Sequence, residues 1–131
     1  MVSASYVDTS VAVHVLLGSP DARTWFDAAT AGLEPVISSR LLRTELTRVL
    51  RREGLPVSRR DDVLDHLSTV PLDHAVLQEA EAIVPRIRTL DAIHLASALR
   101  TGLEDLVVVT HDVTMRSVAL ELGLRTLDPV A

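Results

Sequence analysis

The amino-acid sequence predicts a three-layer α/β/α domain built on a mainly parallel sheet of four to five strands, and three observations carry that expectation. Short apolar runs rich in β-branched residues alternate with helically periodic segments along the whole chain, the pattern of successive βα units. Most glycines and prolines punctuate these segments, as at Gly18-Ser19-Pro20, Gly32, Gly54, Gly102 and Gly123. The 131 residues, 47% of them apolar, suffice for one core, so a single domain over 1–131 is expected.

The elements follow in order. Ser5–Val7 is the first strand, and a helix over Thr9–Leu17 ends at the Gly18-Ser19-Pro20 break. Asp21–Ala31 is a second helix, stopped by Gly32. Pro35-Val36-Ile37 is a short strand, and Ser38 or Ser39 can cap the strongly periodic helix Arg40–Glu53, which stops at Gly54 and Pro56. Ser58 can cap a helix reaching about Ser68. Val70–Leu72 reads as a short strand or a loop, and His74–Val84 as a helix that Pro85 terminates. Leu90–Arg100 is a helix closed by Gly102, Leu106–Val109 is the clearest buried strand, and Val113–Leu122 is a helix with Gly123 at its end. Leu124–Leu127 is the last strand.

Composition removes several chemistries. With no cysteine there is no disulfide, thiolate nucleophile or cysteine-based zinc site, and the five histidines lack the i, i+4 pairing of a helical zinc site. Any metal would be held mainly by carboxylates, which favours Mg²⁺ or Mn²⁺. All thirteen basic residues are arginine, so mechanisms that need a lysine are excluded. No stretch approaches the ~20 apolar residues of a membrane span, and Met1–Ser5 lacks a basic segment followed by an apolar run, so a soluble, cytoplasmic protein is expected. The net charge is -5, yet residues 40–60 carry seven arginines against Glu45 and Glu53, an excess of +5 that leaves -10 elsewhere. A basic strip beside acidic ground suits a metal-dependent nuclease.

Four carboxylates stand out. Asp8 ends strand one, where parallel α/β sheets place their ligands, although an aspartate there can equally cap the next helix. Glu45 lies inside the apolar arc of Leu42, Leu46, Val49 and Leu50. A carboxylate facing the core side must meet a cation, or else pair with Arg48 or Arg52 along its own helix. Asp91 opens a helix whose Ala92, Ala96 and Ala98 permit close approach to the sheet, a position that also suits the helix dipole. Asp112 follows the Leu106–Val109 strand, where helix capping is the alternative. His94 is read as a packing or hydrogen-bonding residue. Carboxylates gathered within a few ångströms would repel one another unless divalent cations sat among them, and such ions support hydrolysis of a phosphodiester.

Val7-Asp8-Thr9-Ser10, Thr44-Glu45-Leu46, Leu90-Asp91-Ala92-Ile93-His94-Leu95-Ala96 and Val109-Thr110-His111-Asp112 together resemble the PIN-domain family, and in particular its VapC-type toxins. The resemblance spans essentially the full chain and is most specific in Leu90–Ala96. It implies a PIN-like fold in which Asp8, Glu45, Asp91 and Asp112 form an acidic, catalytic Mg²⁺ or Mn²⁺ site, with Thr9, Ser10 and Thr110 as polar supports. It implies further an endoribonuclease toxin that cuts structured RNA such as transfer or ribosomal RNA, inhibits translation and growth, forms a homodimer and is held by a cognate VapB-type antitoxin. Ser5-Tyr6 replaces the more apolar pair common before the first aspartate, a departure read as not touching the site. Arg40, Arg43 and Arg51 project away from the apolar arc and would guide RNA or grip the acidic antitoxin, unless they form an ordinary solvated face. The alternative from another class is a catalytically silent PIN-like module that binds protein or RNA. Receiver and haloacid-dehalogenase domains share only the strand-end aspartate and need a lysine that is absent.

Overall fold

The computed structural model describes residues 4–130 and follows the alternation expected from the sequence. The elements are β1 (Ala4–Val7), α1 (Thr9–Leu16), α2 (Pro20–Ala31), β2 (Val36–Ser39), α3 (Leu41–Glu53), a 3₁₀ turn (Val57–Arg60) running into α4 (Asp61–Leu64), β3 (Ser68–Val70), α5 (His74–Glu81), α6 (Thr89–Arg100), β4 (Leu106–Val109), α7 (Val113–Glu121) and β5 (Arg125–Leu127). The sheet order is β3-β2-β1-β4-β5, and every pairing is parallel. The chain therefore builds outward from β1 to one edge and then crosses to the other side of β1. That reversal leaves a crevice at the carboxyl ends of β1 and β4, where such sheets hold ligands.

Period-two alternation along β1 sends Val7 to one face and Tyr6 to the other. Val7 and Val109 pack with Val11, Phe26, Leu42 and Leu46 beneath α1, α2 and α3. Tyr6 and Val108 pack with Ile37, Leu106 and Ala98 beneath α6, and Leu95, Met115 and Val118 join α6 to α7. Helices thus cover both faces of the sheet, as a wholly parallel sheet requires. The seam fixes the rotation of α3: Leu42, Leu46 and Leu50 are fully buried, each stabilising by about 2 kcal/mol, so the Glu45 beside them cannot swing outward cheaply. Of the small residues on α6, Ala98 packs on the sheet and Ala96 packs on Leu41, Val76 and Ile93.

Several boundaries depart from expectation. Ser39, not Ser38, serves the start of α3, its Oγ accepting from the Leu41 amide at 3.0 Å, while Ser38 Oγ donates to the Val7 carbonyl at 2.7 Å. Ser58 lies within the 3₁₀ turn and caps nothing, and the helical run ends at Leu64 because Ser68 is already paired with Ile37. The third strand is Ser68–Val70 rather than Val70–Leu72, since Pro71 has no amide to give to a ladder. Helix α5 ends at Glu81, short of Val84, because the residue before a proline is pushed out of the helical region. No helix of the described residues is long and apolar enough to cross a membrane. Residues 1–3, on which the expectation about a leader partly rests, and Ala131 lie outside the described residues.

Candidate functional site

The site begins with Asp8, one residue beyond β1 and only 2% exposed. Its amide donates to the Val109 carbonyl at 2.9 Å, which carries the ladder one step past the strands and pins Asp8 against β4. Although it holds the N-cap position of α1, its side chain caps nothing. Instead Oδ2 accepts from Ser10 Oγ and from Thr110 Oγ1, each at 2.8 Å. Two hydroxyl donors on one oxygen hold the carboxylate in a single orientation. Oδ1 receives no hydrogen bond, and no buried side-chain oxygen of the described residues lacks a partner, so Oδ1 opens to solvent. Ser10 and Thr110 also tie down the following loop: the His111 amide donates to Ser10 Oγ at 2.9 Å and the Asp112 amide to Thr110 Oγ1 at 3.1 Å.

Asp112 caps α7, its Oδ1 accepting from the Met115 amide at 2.9 Å. Capping and site membership are therefore not alternatives, because Oδ2 faces the crevice and accepts from an Arg88 terminal nitrogen at 3.2 Å. Asp91, in the first turn of α6, accepts from Arg88 Nε through Oδ2 at 3.1 Å. Burial pushes the Asp91 carboxyl above its ordinary value and the Arg88 hydrogen bond opposes this, while the charges of Asp8 and Asp112 push it further up. Those last two effects report that three carboxylates share one field.

Glu45 reaches the crevice from α3 and shares with Asp91 a hollow bordered by Arg88, Thr89 and Leu90. It pairs with neither Arg48 nor Arg52. Its Oε1 accepts from Thr9 Oγ1 at 2.6 Å and lies 2.7 Å from His94 Nε2. On the far side of that imidazole, Nδ1 is 2.8 Å from the Tyr6 hydroxyl. Burial drives the Tyr6 hydroxyl far above its ordinary value, with the Ser97 and Ser38 hydrogen bonds opposing and the charges of Asp8 and Glu45 adding to the rise. Tyr6 thus keeps its proton. When its hydroxyl donates to Nδ1, the N–H of the ring is on Nε2, aimed at Glu45.

The expected site residues thus divide. Asp8, Ser10, Thr110 and Asp112 are brought together at the ends of β1 and β4, Asp91 joins Asp112 through Arg88, and Glu45 with Thr9 and His94 flanks Asp91. No three histidine, aspartate or glutamate side chains among the described residues are close enough to hold a metal ion, and Arg88 bridges Asp91 and Asp112. Arg40 and Arg43 line a different hollow, with Asp61 and Asp65, and Arg51 is exposed on the last turn of α3. The reading that Ser5-Tyr6 leaves the site untouched is overturned, because Tyr6 contacts it through His94. One other participant was missed, Arg88, signalled by its i, i+3 spacing to Asp91, whereas His94 is the packed, hydrogen-bonding residue it was read as.

The family model described as PIN domain matches residues 5–121. Ribonuclease VapC47 of Mycobacterium tuberculosis (strain CDC 1551 / Oshkosh) is 39% identical over 132 residues, covering 96% of this chain and 97% of that protein. Ribonuclease VapC46 of Mycobacterium tuberculosis (strain ATCC 25618 / H37Rv) is 35% identical, covering 97% of this chain and 98% of that protein. Among solved structures, DNA-bound VapBC from Salmonella typhimurium superposes with a TM-score of 0.68 at 20% identity, covering 98% of this chain and 99% of that one. VapBC2 from Rickettsia felis, bound to a promoter DNA fragment, gives 0.70 at 11% identity, covering 95% and 98%. At such identities the two structural likenesses speak for the fold alone.

Proposed function

The chain belongs to the PIN-domain family, and from that premise we propose that it is the ribonuclease toxin of a VapBC-type toxin–antitoxin pair, a metal-dependent endoribonuclease acting from a single domain in the cytoplasm. Full-length similarity to proteins named Ribonuclease VapC supports the activity class and, with it, a VapB-type antitoxin as partner. The observation that carries the catalytic reading is Asp8: a carboxylate 2% exposed, held rigid through Oδ2, with Oδ1 left open beside Asp91 and Asp112.

In kind the donor set suits a hard divalent cation, and the acids have to close up before three of them can hold one. It is all oxygen, the charges of Asp8 and Asp112 raise the proton affinity of Asp91, and it already attracts one cation, the guanidinium bridging Asp91 and Asp112. Asp8, Asp91 and Asp112 would hold Mg²⁺ or Mn²⁺, with Glu45 beside them. A bound ion there supplies Lewis acidity toward a phosphodiester and lowers the pKa of water. The chain's own residues do the rest: Ser10 and Thr110 fix Asp8, Met115 fixes Asp112, and Thr9 with His94 fixes Glu45 so that its second oxygen can accept a proton from attacking water. Transfer or ribosomal RNA would be the substrate, its cleavage arresting translation and growth. The protein would act as a homodimer, and the antitoxin tail would cover the acids.

Incubation with total RNA tests this reading. Mg²⁺ or Mn²⁺ should support cleavage, a chelator should stop it, and Asp8→Ala and Asp91→Asn should each abolish it. Undiminished cleavage in the variants would show that Asp8 and Asp91 do not carry it, and none with either metal would leave a binding module instead.

A further inference from the structure

Arg88 stands where its surroundings would not otherwise put it. It immediately precedes α6, with extended backbone, and its guanidinium is 79% exposed. A cation before a helix N-terminus opposes the helix dipole, and a long exposed side chain loses entropy when held in one place. The fork nonetheless bridges two acids from distant stretches, Asp91 at 3.1 Å and Asp112 at 3.2 Å, and it makes no other polar contact among the described residues. On Asp112 it takes Oδ2, the oxygen left over once Oδ1 has capped α7. Asp112 therefore has no free oxygen while Arg88 is in place.

We propose that Arg88 is a tethered internal counter-ion that competes with the divalent cation for Asp91 and Asp112, and so sets the metal concentration at which the site loads. The inference rests on the metal-dependent reading above. A guanidinium and a divalent ion cannot share one carboxylate oxygen without strong repulsion, so loading requires the fork to swing away. Its exposure makes that movement feasible, since no packed side chain has to give way. In the metal-free protein the same contacts offset the repulsion between Asp91 and Asp112. The competition is intramolecular, and its strength is that of two exposed ion pairs.

Mn²⁺ binding to the full chain, followed by calorimetry and by the paramagnetic signal of free Mn²⁺ without RNA, tests this. Arg88→Ala should bind Mn²⁺ roughly two- to thirtyfold more tightly than the native chain, the span covered by losing two exposed ion pairs. Arg88→Lys, which keeps the charge but not the bridging fork, should fall between them. Equal affinity in native protein and Arg88→Ala would overturn the inference while leaving the metal site standing. Weaker binding by Arg88→Ala would also overturn it, making the guanidinium an organiser of the acids. Binding by none of the three proteins would remove the metal reading itself, and the inference with it.

Discussion

His94 Nε2 lies 2.7 Å from Glu45 Oε1, across 49 residues of sequence, while the Tyr6 hydroxyl holds Nδ1 of the same ring at 2.8 Å. The chain Tyr6–His94–Glu45 joins the centre of the sheet to helices from both of its faces. Removing the Tyr6 hydroxyl leaves a buried ring nitrogen without its partner in a protein that otherwise has none among the described residues. Tyr6→Phe should cost about 1–3 kcal/mol by urea denaturation. An unchanged transition midpoint would show that the hydroxyl contributes nothing there.

Asp91 carries a charge that the metal-free fold disfavours. Its folded-state pKa is raised, by burial first, so the folded chain binds this proton more tightly than the unfolded chain. Stability from this group is therefore greater as pH falls through the raised value and is lost above it. Asp91→Asn, measured in chelator at pH 7, should melt higher than the native protein, by about 2 °C given the group's partial exposure. The advantage should vanish at acid pH, where native Asp91 is neutral too. A lower melting temperature at pH 7 would mean that the Arg88 contact outweighs burial.

Thr110 is 1% exposed, and its hydroxyl both donates to Asp8 and accepts from the Asp112 amide. Thr110→Val keeps the shape and removes both hydrogen bonds. It should destabilise the fold by about 1–3 kcal/mol and lower the cleavage rate through misplacement of two acids. Native stability with native activity would show that Ser10 alone suffices to orient Asp8.

Arg40, Arg43 and Arg51 do not border the hollow shared by Glu45 and Asp91. If they guide RNA, they act on backbone remote from the bond being cut. Replacing the three by alanine should reduce RNA affinity and flatten its salt dependence by roughly 0.7–0.9 for each phosphate no longer neutralised, with the rate at saturation unchanged. An unaltered slope over several salt concentrations would return them to an ordinary solvated face.

Much of this was legible in the sequence because it depends on local signals. Strand-end aspartates, the apolar arc of α3 and the first-turn Asp91 are statements about neighbours three or four residues away, and each acid lies where periodicity put its backbone. What the sequence concealed were long-range partners. Nothing within reach of Glu45 along α3 reveals that it meets Thr9 and His94 rather than Arg48, and the role of Tyr6 follows only once α6 is laid across β1. The shift of β3 is different in kind. Pro71 announces that a ladder must stop before it, and weighting that missing amide above the apolar run would have put the strand at Ser68–Val70.

Metal uptake coupled to cleavage tests the central claim most directly. Titrating Mn²⁺ into the native chain while following cleavage of a defined RNA should show activity rising with occupancy of the ion, and Asp8→Asn should lose both together. Cleavage that persists in chelator, or full Mn²⁺ uptake by Asp8→Asn, would contradict the claim that Asp8, Asp91 and Asp112 share one ion.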